Sequence, residues 1–248
     1  MKLDKFIIHI PHSSTKLPNI FYERLLVDKE YIKKENIFMS DYLIDTFVLS
    51  KFKNIVKFDY SRLFCDVERY KDDDKEEMSK YGMGVIYTND SNNRKINNID
   101  NLYKNYIIKN YYDKHHKKLD DLVIKILEKY NECFIIDLHS YSDSFVGKVL
   151  NKFNNPDICI GIDNSFYSKE LTELTIKHFK DYGYSVDINY PYSGTIVPNV
   201  IYKNKDKRVK SIMIEINKRI YLDNKENYNK LMKCMNNYYD KLEGGLYE

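Results

Sequence analysis

Tryptophan is absent from the 248 residues, and glycine (8), proline (5) and cysteine (4) are scarce. Such low glycine and proline exclude collagen-like and low-complexity architectures. The cysteines, Cys65, Cys133, Cys159 and Cys234, are scattered and form no paired metal-binding spacing. Cys133 and Cys159 lie within apolar runs, the setting of a buried free thiol. No apolar run approaches the ~18 residues of a membrane span and no secretory leader pattern is present, so a soluble, cytoplasmic protein is expected. Charge of one sign is lacking as well, because 40 basic side chains face 37 acidic ones and the net charge is +3. That balance gives no reason to expect nucleic acid or an anionic membrane as partner.

What is present is a length sufficient for one large core, with no shift in composition to mark a boundary, so a single domain over residues 1–248 is expected. Apolar runs recur at 5–10, 55–60, 84–87, 133–138, 157–162, 184–188 and 211–216. Helical patterns lie between several of them. Ser40 can cap a helix with Leu43, Ile44, Phe47 and Val48 on one face. A long helix is predicted over 101–130, with Leu119, Leu122, Val123, Ile126 and Leu127 inward. Two more are predicted over 168–181, stopping at Gly183, and over 225–242. Strands alternating with helices predict an α/β three-layer sandwich, its sheet mostly parallel and covered on both faces. Residues 70–100 hold few apolar positions and read as an excursion over the active edge; their charge run 71–77 reads as a solvated loop.

Chemistry concentrates at the run ends. In Ile135-Ile136-Asp137-Leu138-His139-Ser140-Tyr141-Ser142 a buried strand meets a polar break, placing Asp137 and His139 at its carboxyl end, where open α/β sheets hold ligands. A neutral imidazole there is a usual metal ligand, oriented by an acidic neighbour. A buried, hydrogen-bonded structural histidine fits the same pattern. The start of the chain repeats it: Phe6-Ile7-Ile8-His9-Ile10 ends at Pro11, and His12 follows in the loop. His9, inside the run, reads as a packed or supporting residue. Two imidazoles converging on one sheet edge point to a divalent metal, Zn²⁺ first, needing a third protein ligand and a position for water.

Further candidates surround this pair. Arg62 and Arg69, with Asp66 and Glu68 between them, suit either a fork for a substrate carboxylate or a structural network. Glu215 lies in the apolar stretch 211–217, and a carboxylate buried there needs a partner; beside activated water it suits a general base. Asp41 alone reads as an acid at a helix start. Of His115 and His116, adjacent on a helix, at most one can face a site. His178 reads as a polar-face residue. Gly194 and Thr195 form a turn that suits a substrate loop, and Tyr141 is assigned to the same substrate side.

These motifs, taken in order, resemble the N-formylglutamate amidohydrolase family, itself related to the zinc carboxypeptidases and aspartoacylases. The resemblance is carried by His9-Ile10-Pro11-His12-Ser13, Ser40-Asp41-Tyr42, Ser61-Arg62, Asp66-Val67-Glu68-Arg69, His116 with Leu119, Asp137-Leu138-His139-Ser140, and Ile214-Glu215-Ile216-Asn217 with Tyr221. It implies a zinc-carboxypeptidase-like fold, zinc held by His12 and His139, Arg69 on the substrate carboxylate and Glu215 as general base. Asp41 is taken as the third ligand, with Glu68 as the fallback. Thr15 occupies the position where carboxypeptidases carry a ligand Glu. The implied reaction is zinc-dependent cleavage of the N-acyl, namely N-formyl, amide of an amino acid or short peptide. A metallocarboxypeptidase acting on peptides or cell-wall fragments, or a binding protein of the same fold, are the alternatives. Two departures bear on substrate: Glu68 stands where many relatives carry Asn, and no Gly-Gly-His sequence accompanies Gly194-Thr195.

Overall fold

The computed structural model describes residues 3–48, 50 and 52–244. Six strands, Phe6–Ile10 (β1), Ile55–Lys57 (β2), Cys133–Tyr141 (β3), Ile158–Gly161 (β4), Val186–Ile188 (β5) and Val209–Asn217 (β6), form one sheet in the order β2-β1-β3-β6-β4-β5. β1, β3 and β6 run parallel; β4 is antiparallel to β6, and β5 is parallel to β4. The fold is therefore α/β with a mixed, mostly parallel sheet, as expected. The chain divides into two compact units. The sheet unit comprises Leu43–Val56 with the chain before Pro11 and after Leu119; the second unit comprises Pro11–Tyr42 and Lys57–Leu119.

The pleat sorts the sheet unit's residues. Phe6, Ile8, Ile10, Phe134, Ile136, Leu138, Ile158, Ile160, Ile212, Ile214 and Ile216 all enter one apolar cluster. They meet Leu171 and Phe179 of the helix Lys169–Asp181, and Leu231, Met235 and Tyr238 of the helix Lys225–Gly244. Alternate residues on a strand face opposite sides, so His9, Asp137, His139, Glu215 and Asn217 leave by the other face. Each large apolar side chain buried contributes roughly 1.5–3 kcal/mol. A one-residue slip would turn that whole set outward and drive Asp137 and His139 into the apolar layer, so the register is strongly specified.

In the second unit, Asp28 caps the helix Lys29–Met39 by accepting from the Tyr31 backbone N–H at 2.7 Å. Residues 70–100 hold a 3₁₀ turn, Glu77–Tyr81, and isolated bridges. The long helical region is three pieces: Asn101–Ile107, a π-helical stretch Ile108–Tyr112, and Asp113–Tyr130.

Several expectations are corrected. Ser40 does not start a helix; it follows the end of Lys29–Met39, and the next turn is the short 3₁₀ segment Ile44–Phe47, entered through Leu43 at φ 64°. The run 84–87 is buried yet forms no named strand, because its Val85 carbonyl accepts from Asp66 N–H and only an isolated bridge joins Met83 to Tyr87. β3 continues to Tyr141 because β6 pairs with it residue by residue as far as Asn217. His178 is fully buried, bonded through Nε2 to the Cys234 carbonyl at 2.9 Å. The helix Lys29–Met39 had no expectation attached to it, since its buried positions include Glu35 and Asn36 and leave only a weak apolar stripe.

Candidate active site

In the second unit one carboxylate organises the chemistry. Asp66, fully buried, accepts at Oδ1 from His12 Nε2 (2.8 Å) and from the Glu68 backbone N–H (3.1 Å). At Oδ2 it accepts from Arg62 Nη2 (2.8 Å), Arg62 Nε (3.1 Å) and the Tyr87 hydroxyl (3.0 Å). Burial alone would raise the Asp66 pKa, but Arg62, His12 and Arg69 outweigh it and hold the carboxyl well below its usual range. An ionised carboxylate only accepts, so His12 Nε2 carries the proton. Burial, with Arg62 adding to it, lowers the His12 pKa, so its ring is neutral near pH 7 and Nδ1 is an acceptor. That nitrogen lies 3.8 Å from Asp41 Oδ2 and 3.7 Å from Glu68 Oε2.

Local folding explains these positions. Asp41 lies in the connection after the helix rather than in a helix first turn; it is 1% exposed, and its N–H donates to the His12 carbonyl at 2.8 Å. The loop after His12 is clamped where Asn36 Nδ2 donates to the Thr15 carbonyl and Ser61 Oγ donates to Asn36 Oδ1. Arg62 is engaged by Asp66 and Tyr87. Arg69 differs: its Nε is buried with no hydrogen-bond partner among the described residues, and its nearest carboxylates, Asp66 Oδ2 and Glu76 Oε1, stand at 3.8 and 3.9 Å. A buried N–H without an acceptor among the described residues is costly, and it leaves Arg69 able to donate to a bound group.

The sheet unit repeats the device. Asp137 Oδ1 accepts from His9 Nδ1 (2.7 Å) and His139 Nε2 (3.0 Å), and Oδ2 accepts from the Ile196 N–H (3.2 Å). Burial opposes ionisation here too, but His139 and His9 prevail and hold the Asp137 pKa far below its usual range. His139 pairs in register with Glu215 on β6, and Glu215 in turn with Cys159 on β4. Glu215 is 7% exposed.

The remaining assigned residues are tied to the protein itself. The Tyr141 hydroxyl donates to the Pro156 carbonyl, and its ring meets Tyr192. Thr195 Oγ1 bonds Ser211 Oγ at 2.7 Å, anchoring its loop to the start of β6. Gly194 has φ 84°, and its carbonyl lies so close to Gly161 that a Cβ there would meet it at 2.2 Å. Of the two adjacent histidines, His115 packs edge-on against Phe58, whereas His116 donates from Nε2 to the Val67 carbonyl at 2.7 Å. Tyr87 went unnoticed in the sequence because it ends an apolar run and only the folded loop turns its hydroxyl onto Asp66.

A sequence profile described as N-formylglutamate amidohydrolase matches residues 4–222. No curated protein matches the chain by sequence. Among solved structures, the N-formylglutamate amidohydrolase from Ralstonia eutropha JMP134 superposes with a TM-score of 0.82 at 18% identity, over 97% of this chain and 93% of that one. A gene product of Agrobacterium tumefaciens superposes with a TM-score of 0.68 at 16% identity, over 96% and 92%. At these identities the likeness is one of fold.

Proposed function

The chain belongs to the N-formylglutamate amidohydrolase family, and from that premise we propose that it is a divalent-metal-dependent enzyme, with Zn²⁺ the preferred ion, hydrolysing the N-formyl amide of a small acidic amino acid. The observation that carries the reading is the repeated pairing of a buried imidazole with a buried carboxylate through Nε2, in His12 with Asp66 and in His139 with Asp137. A carboxylate on one ring nitrogen fixes tautomer and orientation and makes the other nitrogen the ligand atom.

The donor set fits such an ion. His12 Nδ1, an acceptor, gathers the oxygens of Asp41 and Glu68 at 3.7–3.8 Å, longer than a hydrogen bond. Acceptors so spaced suit ligands each about 2 Å from one cation. His12, Asp41 and His139 would hold it, with Glu68 the alternative to Asp41. When bound, the ion supplies a Lewis acid that polarises the scissile carbonyl and acidifies the attacking water.

The chain's own residues supply the rest. Arg69 would take the substrate's carboxylate in a planar fork, which is the acceptor its buried Nε lacks among the described residues. Glu215 would accept a proton from the attacking water and return it to the departing nitrogen. Arg62 is better suited to holding Asp66, and through it His12, than to touching substrate. Tyr141 at the end of β3, and Gly194 and Thr195 on a loop anchored to β6, would shape the substrate side.

Metal analysis of the purified protein, followed by a panel of N-formyl and N-acetyl amino acids with acidic and neutral side chains, tests the reading. Turnover of N-formyl acidic amino acids by the metal-loaded protein is expected. Turnover confined to N-acetyl or neutral members, or no turnover of any member with metal bound, would reject it.

A further inference from the structure

The segment Asp66-Val67-Glu68-Arg69 carries both the carboxylate that holds His12 and the guanidinium proposed for substrate, yet its backbone is gripped from outside. The Tyr112 hydroxyl donates to the Arg69 carbonyl at 2.9 Å, and His116 Nε2 donates to the Val67 carbonyl at 2.7 Å. The two rings stack with centroids 4.3 Å apart, one helical turn from each other. Tyr112 is buried, and the Lys71 ammonium lies 5.2 Å from its ring centroid. Tyr112 also closes the π-helical stretch Ile108–Tyr112. A π turn inserts a residue and re-aims the side chains around it, and such turns recur at functional sites.

At its start the segment is tied by the Asp66 N–H, which donates to the Val85 carbonyl at 2.9 Å; beyond that its bonds are local. Asp66 Oδ1 takes the Glu68 N–H, and the Arg69 N–H reaches the Asp66 carbonyl at 3.4 Å. The carbonyls of Val67 and Arg69 are where outside donors hold the end of the segment nearer the guanidinium. That matters because, among the described residues, the Arg69 guanidinium is steadied by ion pairs at 3.8 and 3.9 Å and has no hydrogen bond at Nε. Its place is set by its backbone. A bidentate fork tolerates little displacement, and an error of about 1 Å at a binding group costs up to ~10² in rate or affinity.

We propose that Tyr112 and His116 are positioning residues, a stacked clamp that places the Arg69 guanidinium and thereby sets affinity for the substrate's carboxylate. The proposal rests on the reading of Arg69 as the carboxylate-binding group.

The test is steady-state kinetics of the metal-loaded enzyme on its best N-formyl amino acid, with Tyr112→Phe, His116→Leu, His116→Gln, Arg69→Ala and the double variant Tyr112→Phe/Arg69→Ala. Loss of either clamp bond should raise KM roughly tenfold and leave kcat within about twofold. His116→Gln keeps an N–H donor and should recover most of the loss. In the Arg69→Ala background, Tyr112→Phe should leave KM unchanged, since the group it positions is gone. Equal effects of Tyr112→Phe with and without Arg69, or a fall in thermal stability with KM unmoved, would make the clamp merely structural and overturn the proposal. If Arg69→Ala raises KM and the clamp variants do not, the clamp fails alone. If Arg69→Ala leaves KM unchanged, the reading of Arg69 fails and takes the clamp with it. Should Tyr112→Phe fail to fold, the His116→Leu and His116→Gln pair decides the same question.

Discussion

His139 on β3 and Glu215 on β6 are register partners in adjacent parallel strands, so an imidazole and a carboxylate leave the sheet side by side on one face. Their spacing is set by the ladder, roughly 4.8 Å between strands, rather than by a loop. The apolar cluster on the opposite face holds that register, because Leu138, Ile214 and Ile216 must all point into it. Packing on one face therefore preorganises the polar pair on the other.

Glu215→Gln should abolish turnover while leaving metal content intact. Gln is nearly isosteric, so packing beside His139 survives, but it cannot accept the water's proton. Loss of a general base costs ~10²–10⁴ in rate. Turnover and metal content measured on the same preparation separate the outcomes. Metal lost together with activity would make Glu215 a ligand, and near-normal turnover with full metal content would move the base elsewhere, Glu68 being next.

Arg69→Lys should weaken substrate binding although the charge is retained. An ammonium is a point donor and cannot reproduce a planar fork. A fall in kcat/KM of roughly tenfold or more, carried mainly by KM, is expected. An unchanged kcat/KM would return Arg69 to the structural network around Asp66.

The positions of all six strands could be read from apolar runs, most plainly where burial on both faces makes the run nearly continuous, as in β3, where all nine residues are buried. The run 84–87 misled, since burial without a ladder partner looks identical in one dimension. His12 and His139 were legible because each follows or ends such a run. The carboxylate that holds His139 was legible too, being two residues away on the same strand face. Asp66 as the hub for His12 was not, for 54 residues separate them and only the folded loop joins them. Likewise Ser40 has the chemistry of a helix start and stands at a helix end; the sequence shows the residue, while the preceding amphipathic stripe that would place it is too weak.

Stability should fall as pH falls, in two stages. Burial lowers the His12 pKa below 6.5, and the same cause lowers His178. A group whose folded pKa is depressed contributes stability above its unfolded pKa and loses it as pH drops toward the folded value. The histidine contribution therefore fades below about 6.5, and that of Asp66 and Asp137, held below 3.8, fades further down. Urea midpoints of chelator-treated protein from about pH 7.5 to about pH 3.5 should show a gradual decline and then a steeper one. His12→Gln should reduce the first stage without removing it, because His178 shares it. A midpoint that rises between pH 7 and 5 would contradict the burial of neutral imidazoles.

Asp137→Asn should weaken metal binding without touching a ligand. The carboxylate holds His9 and His139 through one oxygen and the Ile196 N–H through the other. Asn is close in shape and keeps one acceptor, so β3 and its register should persist, as far-UV circular dichroism would report. What it loses is the negative charge that fixes the His139 ring with its proton on Nε2 and raises the basicity of Nδ1. Removing such a supporting carboxylate lowers metal affinity by about 10–100-fold. Competition against a chromophoric chelator measures this directly, free of any assumption about substrate. Asp66→Asn should act in the same way through His12, though with greater loss of stability, because it also strands the Arg62 guanidinium and the Tyr87 hydroxyl in a buried place. If Asp137→Asn binds metal as tightly as the parent while Asp66→Asn does not, His139 leaves the ligand set, and the ion must be held around His12, Asp41 and Glu68 alone.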